Sequence, residues 1–242
     1  MGYQRPRPRH QFREQLEGLE QGALGALDMV VELLDRAMEC LERQDIELAT
    51  FVIDDDRRID GRYIEVHQGI LSLLALQAPV AADLRLVAAL LHVIRHAERM
   101  GDQCVNIAKV IPLVGTEPPA DRVLLEKLLR MGTAARVEAV EARIAFADRN
   151  VDLAMDLARQ DREINRLNKE VFRRAVELGD DADVREWAMV MTVVARALER
   201  FGDNAVGIGE QVAFVATGLF RDVPITALDP AHLQPDAPEQ PL

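Results

Sequence analysis

Apolar residues recur at alternating steps of four and three through Ala23, Leu27, Val30, Leu34, Ala37 and Leu41. That spacing marks one face of a helix inside a bundle. It predicts a first helix from Phe12 to Arg43. Asp45 has the residue type of an N-cap for a second helix, which the pattern carries to Leu76. Gln77-Ala78-Pro79 breaks that helix, and a third runs on to Ile111. The stretch from Pro112 to Pro119 contains Gly115 and a Pro-Pro pair and reads as the main linker. The second half repeats the plan. A helix from Asp121 to Ala147 is expected to turn Leu124, Leu128, Met131, Val137, Val140 and Ile144 inward. Asn150 can cap the next, which ends near Gly179, and a last helix runs from Asp183 to Leu219. No stretch alternates as a strand does. The expected fold is all-α: two tandem antiparallel three-helix bundles, residues 10–113 and 119–222. A flexible basic tail (1–9) precedes them, and a Pro-rich disordered tail (223–242) follows.

The halves are copies. Residues 98–108 read ERMGDQCVNIA and residues 199–209 read ERFGDNAVGIG, with six of eleven positions identical at an offset of 101. Arg95 and Arg196 keep the same offset. A second echo pairs Asp56-Arg-Arg-Ile-Asp60 with Asp161-Arg-Glu-Ile-Asn165. Repetition of this length implies a duplicated structural unit.

The duplicated acids fall where a bundle helix should be apolar. Glu98 and Asp102 share a stripe with Val87, Leu91, Ile94 and Val105, with Asn106 at its edge. Asp56 and Asp60 lie in line with Ile53, Ile64, Leu71 and Leu74. In the second unit Asp161 and Asn165 join Ala158, Phe172 and Val176. Glu199, Asp203 and Glu210 join Ala188, Ala195, Gly202, Val206 and Ala213. Asp60 and Glu98 stand 19 residues either side of Pro79, and Asp56 and Asp102 stand 23. Around Ala182, Asn165 and Glu199 stand at 17 and Asp161 and Asp203 at 21. Antiparallel helices of equal rise therefore bring the four groups of each unit together. Carboxylates gathered on inner stripes repel one another and are costly to desolvate. Arginines could pair with them, water could reach them, or cations could neutralise them. Oxygen-rich ligand sets suit magnesium, manganese or iron better than thiolate zinc chemistry. Glycine inside a helix costs about 1 kcal/mol relative to alanine. The matched Gly101 and Gly202 therefore suggest close packing, or room beside the acids.

Composition narrows the function classes. Hydrophobic residues make up 49% of the chain and aromatics 4%, so the core is aliphatic, as helices prefer. The net charge of −12 argues against a nonspecific nucleic-acid binder, which needs a basic footprint. Cys40 and Cys104 lack any CxxC framework and read as reduced, buried thiols. The first residues carry no apolar core of a signal peptide, and no apolar run approaches a membrane span, so a cytoplasmic protein is expected. His92 and His96 are spaced as a helical ligand pair but lie on a flank away from Glu98 and Asp102, and His67 reads as a core histidine. No nucleophile–base constellation and no phosphate-cradling glycine loop occurs, so no enzyme activity is expected.

The chain resembles the PhoU family from about Arg9 to Leu219. Gln77-Ala-Pro-Val-Ala-Ala-Asp-Leu-Arg85 is similar to the family's hairpin signature. Glu98-Arg-Met-Gly-Asp102 and Glu199-Arg-Phe-Gly-Asp203 are similar to its doubled E/DxxxD motif. The resemblance implies a negative regulator of phosphate uptake and of the phosphate-starvation response, often dimeric. Its implied partners are the phosphate ABC transporter, through the ATPase subunit, and a membrane sensor histidine kinase, with contact to the membrane only through them. Family members can hold multinuclear metal clusters of divalent or trivalent ions: iron, manganese, magnesium or zinc. Carried over, the implied ligands are Asp56, Asp60, Glu98, Asp102 and Asn106 in the first unit. In the second they are Asp161, Asn165, Glu199, Asp203 and Glu210, with Asn165 in place of an acid. Gly207 stands where the family commonly has the asparagine seen at Asn106, and Lys109 where an acid matching Glu210 is common. Two rivals remain: a metal-free helical adaptor, and a di-metal carboxylate oxidase, which would use Glu-x-x-His pairs that this sequence lacks.

Overall fold

The computed structural model describes residues 8–77, 79–114, 120–178 and 181–219. Every regular element among them is a helix: α1 (Pro8–Arg43), α2 (Ile46–Asp55), α3 (Arg57–Leu76), α4 (Ala81–Val114), α5 (Arg122–Asp148), α6 (Val151–Glu177) and α7 (Ala182–Thr217). The expected caps form. Asp45 accepts from the Leu48 N–H at 2.9 Å, and Asn150 from the Leu153 N–H at 3.0 Å. Each N-cap follows a residue in the left-handed region, Gln44 (φ 52°) and Arg149 (φ 54°). The N–H of Asp45 reaches Cys40 O at 3.1 Å, and that of Asn150 reaches Ala145 O at 2.9 Å. These six-to-one bonds close the same helix-ending turn in both halves. The duplication therefore extends to a turn in which no residue type is shared.

The boundaries shift in several places, and α7 ends at Thr217 rather than at Leu219 because Gly218 takes a left-handed φ of 77°. Pro8 and Arg9 belong to the first turn of α1 rather than to a tail. Proline is tolerated there because the first N–H groups have no helical acceptor. Pro112 sits inside the last turn of α4, which runs to Val114 instead of ending at Ile111. α7 starts at Ala182, because Asp181 accepts from the N–H groups of Asp183 and Val184. The single helix expected from Asp45 to Leu76 is interrupted at Asp56, whose N–H reaches Val52 O at a stretched 3.4 Å. The next bond, Ile59 N–H to Asp56 O at 2.8 Å, spans three residues, so the backbone tightens at this acid. The remaining tail and linker residues and Gly179 lie outside the described residues.

Two three-helix bundles share one continuous core drawn from all the helices. α1 packs on α5 and α4 on α7, and these contacts join the repeats. Three ion pairs lace the first seam: Asp35–Arg136 at 2.8 Å, Asp28–Arg143 at 2.7 Å and Glu20–Arg149 at 2.8 Å. Such partly exposed pairs are each worth about 0–1 kcal/mol, so burial holds the repeats together and the pairs fix their register. At the second seam the His96 imidazole lies over Gly207 and hydrogen-bonds the Asn204 side chain at 2.9 Å. Burial lowers the His96 pKa, against the raising effect of the Asn204 bond. Cys40 and Cys104 are buried free thiols, and burial pushes Cys40 up to about 12.

The inward faces differ from the expected stripes. On α3, Ile64, Leu71 and Leu74 are exposed, and the buried line runs from Val52 of α2 through Ile59, Val66, Ile70 and Leu73 of α3. On α6, Phe172 and Val176 are exposed. On α5, Leu124, Leu128 and Met131 point inward as expected, whereas Val137 and Ile144 are exposed and Val140 is only partly buried. The line continues instead through Ala135, Glu138, Ala142 and Ala145. Those positions keep the four-three step, and the small alanines let α5 approach three neighbours closely. The core-facing position between Ala135 and Ala142 is thus an acid.

Candidate metal centres on the two repeats

The buried four-three line of each hairpin contains one aspartate and one glycine. Asp56 occupies the step between Val52 and Ile59, and Asp161 the step between Leu157 and Ile164. Across from them, Gly101 lies between Ala97 and Cys104, and Gly202 between Leu198 and Ala205. Asp56 Oδ1 lies so close to Gly101 that a Cβ there would collide with it; Asp161 Oδ1 is 2.6 Å from the equivalent point on Gly202. This is why both positions are glycine: the carboxylate needs the space a methyl group would take.

In the first site Asp56 Oδ1 is buried without a hydrogen-bond partner. Burial, then the charges of Asp60, Asp102 and Glu98, push its pKa up to about 7, with Lys109 opposing. Glu98 accepts from the Arg95 guanidinium at 2.9 Å through Oε1, while Oε2 is buried and unpartnered. Burial also raises Glu98, Arg95 works against it, and Asp102 and Asp60 add to it. Asp60 and Asp102 are exposed and form the outer rim. The chain levels expected across the hairpin are therefore realised, but the site opens to solvent on one side. Asn106 is exposed and its amide donates to Gln103 at 3.4 Å, so it turns away from the acids.

The second site differs. Asp161 is 7% exposed; its Oδ2 accepts from the Asn165 amide and its Oδ1 has no partner. Burial, then Asp203 and Glu199, raise it to about 6, and the Asn165 bond lowers it. Glu199 accepts from Arg196 through Oε1 and leaves Oε2 buried and unpartnered. Burial raises Glu199 as well, with Asp203 adding and Arg196 opposing. Asp203 is exposed, and Glu210 is partly buried two turns further along α7. Gly207 is not at the site; it lies under His96 between the repeats.

One acid at this site was invisible to motif reading. Glu138 of α5 is 1% exposed and neither of its oxygens has a partner. Burial, then Asp161, Glu141 and Asp203, push it up to about 8. A cleft of about 600 Å³ between α5 and α6 also reaches Glu138, bordered by Arg130, Thr133, Val137, Gln160 and Glu163. The signal that could have found it is the unbroken four-three seam running through Glu138.

These contacts decide between the remedies for crowded carboxylates. Arginine pairing reaches only the outer oxygen of Glu98 and of Glu199, while Arg57 and Arg58 pair with Asp54 and Asp55. The inner oxygens of Asp56, Glu98, Asp161, Glu138 and Glu199 remain without donors. Left ionised and unpaired, each would cost several kcal/mol. Protonation or a cation must answer that cost. The donors are all carboxylate oxygens, because His96 is engaged with Asn204 and His67 lies against Tyr63. The set therefore fits a hard cation. Among the described residues no three such groups already stand in ligand geometry around one point, so a cation would have to draw the rim acids Asp60, Asp102 and Asp203 inward.

Fold and sites together define a duplicated all-helical bundle protein with one acidic site on each repeat. The PhoU domain model matches residues 25–111 and again 128–212, one match per repeat. The chain belongs to the PhoU family, whose members are regulators and not enzymes. It is 32% identical over 212 residues to the phosphate-specific transport system accessory protein PhoU homolog of Deinococcus radiodurans, covering 87% of this chain and 98% of that one. It is 31% identical over 208 residues to homolog 1 of Thermotoga maritima, covering 86% and 89%. The crystal structure of the phosphate transport system regulatory protein PhoU from Streptococcus pneumoniae superposes with a TM-score of 0.81 at 27% identity, covering 88% of this chain and all of that one. PhoU from Pseudomonas aeruginosa superposes at 0.80 and 26%, covering 86% of this chain and all of its own. No helix among the described residues is long and apolar enough to cross a membrane.

Proposed function

We propose that this chain is a cytoplasmic negative regulator of phosphate uptake and of the phosphate-starvation response. It docks, as a homodimer, on the ATPase subunit of a phosphate ABC transporter and on a membrane sensor histidine kinase. Divalent or trivalent metal ions, iron, manganese, magnesium or zinc, brace its two acidic sites. The names of the relatives support the phosphate-transport role. The observation that carries the metal reading is the seam aspartate of each repeat, buried against a glycine with an oxygen that no donor reaches.

Asp56 and Glu98 would hold a cation from inside the first site and Asp60 and Asp102 from the rim. Asp161, Glu199 and Asp203 would do the same in the second. The ion would supply the positive charge these oxygens lack and tie α3 to α4 and α6 to α7. Arg95 and Arg196 hold the outer oxygens of Glu98 and Glu199 and so aim the inner ones. Exposed apolar residues run along the same hairpins, Ile64, Leu71, Leu74 and Leu84 on one repeat and Phe172, Val176, Met189 and Val193 on the other. Such surface is what a docking partner would cover.

Elemental analysis of the purified chain is the direct test. The wild type should carry stoichiometric metal, and Glu98→Ala with Asp102→Ala should lose the share of one site. Metal-free wild type that cannot be loaded would remove the metal from this reading. Pull-down of the transporter ATPase tests docking, and capture unaffected by a chelator and by Asp56→Asn with Asp161→Asn would favour the metal-free adaptor.

A further inference from the structure

We propose that Glu138, reaching in from α5, is a ligand of the cation held at the second acidic site, so that three helices close this site while two close the first. The inference rests on the metal reading above and concerns a residue outside both duplicated motifs.

Three observations support it. Glu138 occupies a seam position whose neighbours on the seam are alanines, yet it is an acid, 1% exposed, with two oxygens that no donor reaches. Ionised in such a place, the group would need a partner, and none of the arginines, lysines or amides around it supplies one. Second, its Oε2 lies 3.0 Å from the point where a Cβ on Gly202 would stand, and Asp161 Oδ1 lies 2.6 Å from the same point. Two unpartnered oxygens from different helices thus converge over one glycine. Around Gly101 the nearest atoms belong only to Asp56 and Ile59. Third, the charge balance needs it. The first site has four acids, Asp56, Asp60, Glu98 and Asp102. The second has Asn165 in place of Asp60, and Asn165 hydrogen-bonds Asp161 instead of contributing charge. Glu138 restores the fourth carboxylate from the opposite wall. The resulting all-oxygen set suits a hard multivalent cation such as Mn²⁺.

The test uses the full chain, stripped with a chelator and titrated with Mn²⁺ by calorimetry and by electron paramagnetic resonance. Glu98→Ala with Asp102→Ala gives a parent whose remaining capacity is the second site. In that parent Glu138→Gln should weaken Mn²⁺ binding at least tenfold and shrink the rise in melting temperature that Mn²⁺ produces. Glu138→Asp should retain part of the affinity, and Glu141→Gln should leave it unchanged. In the otherwise wild-type chain, Glu138→Gln should lose metal from one of the two sites. A purely structural role predicts a different pattern: E138Q melts higher than its parent without metal, because an amide replaces a buried acid, and its Mn²⁺ affinity and thermal shift are untouched. That result overturns the assignment while leaving the metal reading standing. If neither wild type nor parent takes up Mn²⁺, the metal reading fails and this assignment falls with it.

Discussion

Asp56 makes the metal-stripped protein sensitive to pH in a calculable direction. Its carboxyl goes from an ordinary value of 3.8 to about 7 in the fold, chiefly through burial and then through Asp60, Asp102 and Glu98, against Lys109. A group whose folded pKa is raised holds its proton more tightly in the native state. Stability is therefore intact below the unfolded pKa and falls as pH rises toward the folded one. A shift of about three units at about 1.4 kcal/mol each sets an upper bound of about 4 kcal/mol. Solvent at the rim and coupling to the neighbouring acids reduce this to about 2 kcal/mol. Guanidinium unfolding of the chelated protein at pH 5 and pH 8 measures it. About two thirds of this, roughly 1 kcal/mol, falls between the two pH values. Wild type should lose at least that much, with Asp161 and Glu138 adding their own share. Asp56→Asn should lose about 1 kcal/mol less and be the more stable protein at pH 8. Added metal should restore the wild type at pH 8 and leave the variant behind. Equal stability of the chelated wild type at both pH values would refute the reasoning, as would Asp56→Asn that is destabilised at pH 8. Either result would mean that the inner oxygen is satisfied in solution.

Gly101→Ala and Gly202→Ala exchange a helix-propensity gain of about 1 kcal/mol for a methyl group driven into Asp56 or Asp161. Each should reduce metal content at its own site and leave the other site loaded, as elemental analysis would show. Gln44→Gly removes a side chain from a left-handed position and should raise stability by about 0.5–1 kcal/mol in chemical denaturation. Gly207→Ala pushes on the His96 ring and should cost about 1–2 kcal/mol by overpacking the seam between repeats. Asn204 should then lose its imidazole partner, visible as a His96 NMR titration moved further below the ordinary histidine value, because the bond that raises it is gone while burial remains.

The helices, their caps and the duplication were legible because each rests on local spacing. Asp45 and Asn150 announce helix starts by residue type, and the Pro79 break by covalent geometry. The level of the acids across each hairpin was legible too, since rise per residue is fixed. The faces were harder. A stripe chosen for its largest apolar residues selected Ile64, Leu71, Phe172 and Val176, which are exposed, because a bundle packs by small residues where helices approach closely. Glu138 was missed for the same reason: a search for inward apolar residues stepped over an acid to Val137. The fate of Asn106 and Gly207 was not readable from alignment of the repeats, because the α4–α7 seam treats equivalent positions differently. Asn106 turns to Gln103 while Gly207 is covered by His96.

The two hairpins are also unequal in length. α3 continues from Asp56 to Leu76, whereas α6 continues from Asp161 only to Glu177, about one helical turn or 6 Å less. The companion arms, Ala81 to Glu98 and Ala182 to Glu199, match. The first turn of α7 thus extends beyond the end of its neighbour, while that of α4 does not. A molecule built by copying has in this way become keyed. A partner that grips the hairpin tips can tell one repeat from the other by a step in height alone, before any side chain is read.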